Sequence, residues 1–149
     1  MSVGRKIERW YPYAAAAASA PAWFYLFRWL NLSTQEAKEL FAIILNVSAI
    51  AAGFLGTAAS ILLAMGSTPV IKDLKQSGTL LLLYKYVVSA IWHQFWLVFF
   101  CVTLLLLYPK LHSPRVLTVL AVAWGMSTSL AALSSIRIIQ LFGTIITAD

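Results

Sequence analysis

The sequence predicts an all-α integral membrane protein with four transmembrane helices. Two observations predict it. Of the 149 residues, 61% are hydrophobic and 11% charged, against roughly 45–50% and about 25% in an ordinary soluble domain; mean hydropathy is +0.83. Four stretches also approach the roughly 20 apolar residues that a spanning helix needs: residues 14–30, 40–65, 79–107 and 116–135. A water-soluble globule of this length could not hide so much apolar surface. Disorder and a disulfide scaffold are excluded, the latter by a single Cys. The length fits one domain.

The first span, 14–30, is short and Ala-rich, is interrupted by Pro21 and carries Arg28. Trp10, Tyr11 and Tyr13 before it and Trp23 to Trp29 at its end sit where an interfacial aromatic belt belongs, and Arg28 can snorkel outward. A cleaved signal peptide is the competing reading, but the run before Ser19-Ala20 is mostly alanine, too weak for a signal core. The second span, 40–65, follows Ser33-Thr34-Gln35-Glu36, a capping box that fixes the helix start. The third is 79–107. The fourth, 116–135, follows Ser113-Pro114, an N-cap with Pro in the first turn. Its apolar pattern continues through 136–146 past Arg137 and Gln140, as one helix leaving the membrane. Cys101 lies in an apolar run and reads as packing.

Basic residues near the segment ends set orientation. Arg5, Lys6, Arg9, Lys72, Lys75, Lys85 and Arg137 fall on the side of the termini and the middle loop; Arg28, Lys38, Lys110 and Arg115 fall on the other. This imbalance predicts cytoplasmic N- and C-termini. The second and third spans exceed the roughly 30 Å hydrocarbon core, so both are expected to extend into the cytoplasm. Between them, 66–78 reads as a basic turn with a short helix at 70–76 ended by Gly78. With 136–149 it forms a small basic cytoplasmic part, too small for a catalytic domain.

The second span carries small residues four apart, Ser48, Ala52, Gly56 and Ser60. Helices in lipid associate by close backbone approach at such residues, within one chain or between copies. The fourth span repeats the theme with Ala123, Ser127, Ala131 and Ser135, and with Ala121, Gly125 and Ser129. The third has a polar line, Lys85, Ser89 and His93, with Tyr86, Ala90 and Gln94 beside it. Polar groups at membrane depth face protein or water, so Ser89, His93 and Gln94 either line an aqueous path or bond neighbouring helices.

The acids Glu8, Glu36, Glu39, Asp73 and Asp149 are terminal or in loops. The absence of a carboxylate within the spans argues against a proton- or sodium-coupled transporter and a cation-selective acid ring. The sequence lacks a phosphate loop, His-Glu-x-x-His and a Cys cluster, so neither an enzyme nor a metal or cofactor site is expected. Four helices fill their own centre. A conducting path would therefore arise between subunits around a symmetry axis, gathering Lys72, Lys75, Lys85 and Arg137 into a basic vestibule suited to a polyanion.

Residues 49–107 run as a small-rich span, Gly66-Ser67, a basic turn with Ile71-Lys72 and Leu74-Lys75 ending at Gly78, then a span closing in Phe99-Phe100-Cys101 and four leucines. This stretch resembles the Rex-type phage-exclusion membrane proteins. It is also similar to small four-span anti-phage effectors such as the Hailong membrane effector. The resemblance implies a homo-oligomeric pore in the bacterial inner membrane that depolarises the infected cell. It further implies gating by an anionic oligonucleotide or nucleotide made by a partner nucleotidyltransferase. The expected function is a homotetrameric ion-channel-type effector of anti-phage defence or phage exclusion. The rivals are a non-conducting scaffold for a soluble enzyme and a holin-like lysis protein, although the tail after Arg137 carries only Asp149 as charge.

Overall fold

A computed structural model describes residues 3–30, 33–64, 76, 78–111 and 113–146. The regular elements among them are all helical: α1 (Val3–Ala18), α2 (Ala20–Leu30), α3 (Thr34–Ala64), α4 (Thr79–Leu107) and α5 (Pro114–Ile146), with a 3-10 turn at Tyr108–Lys110. Among the described residues three helices are long and apolar enough to cross a membrane: α3 over Thr34–Ile61, α4 with its following turn over Leu80–Lys110, and α5 over Pro114–Phe142. The expected short helix at 70–76 lies outside the described residues except for Gln76, as do Lys72 and Lys75.

The first expected span is divided between α1 and α2, of 16 and 11 residues, neither long enough alone. Only Ser19 separates them. The backbone ladder continues through it, from Ser19 N–H to the Ala15 carbonyl at 3.0 Å and from Trp23 N–H to the Ser19 carbonyl at 3.0 Å. Pro21 accounts for the break. It has no N–H to give and its ring crowds the carbonyl four residues back. The two helices together form one kinked rod, which also begins well before residue 14.

The capping box before α3 is formed. The Ser33 backbone N–H and hydroxyl donate to Glu36 Oε2 at 2.8 and 2.7 Å, and Glu36 N–H donates back to Ser33 Oγ at 3.3 Å. At the start of α4, Gly78 adopts φ +71°, a left-handed conformation open to glycine because it has no Cβ. α5 begins at Pro114, as the Ser113-Pro114 pair predicts, and runs unbroken to Ile146.

α4 packs between α3 and α5, and the kinked α1–α2 rod lies along α5. The rod and α5 are antiparallel. Ser19 meets Ser129, and further along the rod Trp23 meets Gly125. Two cores hold the bundle. One joins Ala37, Phe41, Leu97, Cys101, Leu104, Trp124 and Ala131, with Trp23 and Phe27 packed on it. Trp124 is its hub, meeting Trp23, Phe27 and Phe41 edge to face at 5.9, 5.8 and 5.1 Å. Its indole N–H donates to Cys101 Sγ at 3.1 Å, so the thiol is packing, as expected. The second core joins Leu55, Val87, Ala90 and Ile138.

Candidate functional site

The polar residues of α4 turn toward α5 and α1. His93 Nδ1 lies 2.8 Å from Ser134 Oγ, and His93 Nε2 lies 3.3 Å from the Tyr13 hydroxyl. The Ser134 hydroxyl donates to the Leu130 carbonyl at 2.7 Å. A hydroxyl has one proton to give, so Ser134 accepts from His93, which places the imidazole proton on Nδ1. Nε2 is then the acceptor for the Tyr13 O–H. The chain Tyr13–His93–Ser134–Leu130 thus ties three helices together with every donor used. Gln94, buried at 4% exposure, donates to Ser135 Oγ at 2.9 Å and to the Ala131 carbonyl at 3.3 Å.

Arg137 lies one turn beyond Ser134 on α5. Its guanidinium carbon is 3.4 Å from the centroid of the Tyr86 ring on α4. Its Nε and Nη2 are buried and make no hydrogen bond. A cavity of about 20 Å³ opens beside it, lined by Pro12, Tyr13, Tyr86, Ser89, His93, Ser134 and Arg137. The structure therefore brings Arg137 together with Ser89 and His93, two residues expected to line a path. It does not bring Arg137 out beside Lys85, which is exposed.

Sequence reasoning missed Tyr13 and Ser134, and placed Tyr86 beside the polar line without its contact to Arg137. The signal available was spacing: Ser134 and Arg137 are three apart on one helix face, and Tyr86, Ser89 and His93 repeat at three and four on another. Tyr13 reads equally well as an interfacial belt residue.

The two small-residue faces have different fates. On α5, Gly125 is occupied: a Cβ there would fall inside the Trp23 indole. The Trp23 N–H donates to Ser129 Oγ at 2.9 Å, and the Ser129 hydroxyl in turn donates to Ser19 Oγ at 3.2 Å, the Ser19 proton being given to the Ala16 carbonyl at 2.7 Å. On α3, Ser48 is buried, Ala52 and Gly56 are half-buried and Ser60 is exposed. A Cβ at Gly53 or Gly56 would meet nothing within 4 Å. Among the described residues no group of three His, Cys, Asp or Glu could hold a metal. The chain matches no protein-family model, no curated protein and no solved structure.

Proposed function

We propose that this chain is one subunit of an oligomeric, ion-conducting membrane effector, a tetramer in the bacterial inner membrane. In this reading the α1–α2 rod is a fourth span and both termini are cytoplasmic. The observation that carries the proposal is the open face of α3. A side chain added at Gly53 or Gly56 would meet no atom of the described residues within 4 Å. Small residues at membrane depth serve close helix contact, so a second copy is the natural occupant. His93 and Gln94 of α4 are meanwhile consumed in bonds to α1 and α5, so a path for ions belongs between subunits and not inside one. Lys72, Lys75 and Lys85 supply a basic rim suited to an anionic nucleotide or oligonucleotide. Arg137, turned onto Tyr86, is a weaker member of that rim than its sequence position implies. The resemblance of residues 49–107 to phage-exclusion and anti-phage effectors supports depolarisation of an infected cell as the outcome.

Gly56→Leu tests the assembly. It should leave the subunit folded, since nothing in the chain crowds that site, while removing the oligomer in chemical crosslinking and conductance in planar bilayers. An undiminished oligomer in Gly56→Leu would assign the face to lipid. The same hydrogen bonds of His93 and Gln94 also favour a second reading, a non-conducting scaffold in which they only join helices. Wild-type protein that stays silent in bilayers with a short oligonucleotide present would support that reading.

A further inference from the structure

Arg28, near the end of α2, lines a cavity of about 260 Å³ between α2, the 3-10 turn and α5. Phe24 and Phe27 of α2, Tyr108 of the turn, and Leu117 and Thr118 of α5 also line it. Two of these rings are anchored from behind: Phe27 packs on Trp124 at 5.8 Å and Tyr108 on Phe41 at 5.6 Å, and Trp124 and Phe41 are both buried. The cavity is therefore built into the end of the bundle.

Its depth matches lipid headgroups. α5 has 33 residues, about 50 Å at about 1.5 Å per residue, against about 40–45 Å for a bilayer with its headgroups. Thr118 stands four residues from the start of α5, a rise of about 6 Å, and so lies beside phosphates and not among acyl tails. Arg28 is exposed, and an exposed arginine at this depth reaches for phosphate. The acids of this end, Glu36 and Glu39, accept hydrogen bonds from Ser33 and Gln35 along α3. Arg28, Lys38, Lys110 and Arg115 outnumber them, which draws anions to this end.

Thr118 donates its hydroxyl proton to the Pro114 carbonyl at 2.9 Å, so to a ligand it offers only lone pairs. The cavity thus combines a planar cationic fork, suited to two phosphate oxygens, with an acceptor and apolar walls. Inorganic phosphate would leave the apolar walls bare. A phospholipid with a hydroxylated head uses all three: its phosphodiester on Arg28, its head hydroxyl on Thr118, and the tops of its chains on Phe24 and Leu117.

We infer that each subunit holds one anionic phospholipid with a hydroxylated head, of the phosphatidylglycerol kind, between α2 and α5, in the leaflet on the side of the α2–α3 connection. The site lies within a single chain, so it stands whichever way the chain is oriented and whether or not subunits form a ring.

The test is native mass spectrometry of the full-length protein in detergent, titrated with phosphatidylglycerol or phosphatidylcholine. One phosphatidylglycerol per subunit should bind more tightly than the rest and more tightly than phosphatidylcholine. Arg28→Gln should weaken that lipid by about tenfold or more, as for a lost hydrogen bond to a charged group. Lys38→Gln makes the same charge change at the same end, outside the cavity, and should leave the lipid bound. Leu117→Trp fills the cavity, keeps every charge and should expel the lipid. Equal weakening by Arg28→Gln and Lys38→Gln would reduce the effect to general charge attraction and overturn the proposal. So would tight lipid that survives in Arg28→Gln or in Leu117→Trp. Displacement of the lipid by millimolar inorganic phosphate would assign the fork to free phosphate and likewise overturn it.

Discussion

The guanidinium of Arg137 lies over the ring of Tyr86, 3.4 Å from its centroid, and so pins the outer part of α5 to α4. The attraction comes from the ring quadrupole and needs no hydroxyl. Tyr86→Phe should therefore unfold like the wild type. Tyr86→Leu keeps apolar bulk but removes the quadrupole, and should lose about 1–2 kcal/mol, the range for a desolvated cation–π pair. Unfolding in mixed detergent micelles measures both. Equal stability of the Leu and Phe variants would show that the ring serves only as bulk.

Gly125 and Gly56 make a matched pair of tests. At Gly125 an added Cβ collides with the Trp23 indole, and the kinked rod must move away from α5. Gly125→Ala should cost about 1–3 kcal/mol, the usual range for overpacking. A disulfide between Ser19→Cys and Ser129→Cys should form readily in an otherwise unchanged chain and poorly in the Gly125→Ala background. Gly56→Ala meets open space within the subunit. It should leave monomer unfolding unchanged, or raise it by up to about 1 kcal/mol through better helix propensity.

How much of this was legible follows from how local each signal is. The Ser33–Glu36 capping box and the Pro114 start of α5 need only neighbours in sequence, and both formed as read. The polar line Lys85–Ser89–His93 was legible as a line, because its spacing follows from the helix. What it faces was not, because that depends on Tyr13 and Ser134 arriving from other helices. The two small-residue faces looked alike in sequence. Trp23 decided between them by settling on Gly125, and a tryptophan near a span end reads first as an interfacial anchor. Arg137 reads as a cytoplasmic cation from its place past the fourth span. The helix turns it inward because Ser134, one turn earlier, already faces His93.

The His93 bonds give a third prediction. Ser134→Ala removes the acceptor of the Nδ1 proton and leaves a polar group unpaired between helices. Hydrogen bonds between membrane helices average about 0.6 kcal/mol and reach about 1.7. Because the ring also loses its orientation toward Tyr13, the upper part of that range is expected. Tyr13→Phe, at the exposed end of the same chain, should cost less than Ser134→Ala. A reversed order would mean that Tyr13, and not Ser134, sets the imidazole.

Trp124 separates packing from hydrogen bonding in the bundle centre. The residue is 1% exposed, and three aromatic rings meet it edge to face. Trp124→Phe keeps a ring for those contacts and loses the N–H that reaches Cys101. A neutral N–H to a thiol is a weak bond, so most of its cost should come from the lost volume, about 1–2 kcal/mol. Trp124→Ala removes the hub itself and should cost about 3–5 kcal/mol, with the rod and α3 both losing their anchor. Cys101→Ser keeps an acceptor for the indole but buries a hydroxyl in an apolar core. If the hydrogen bond mattered more than the packing, Cys101→Ser would match wild type while Trp124→Phe failed. The edge-to-face geometry of the cluster predicts that packing dominates, with Trp124→Phe closer to wild type than Trp124→Ala by at least about 1 kcal/mol. Tryptophan emission in these variants, followed through unfolding, measures that gap.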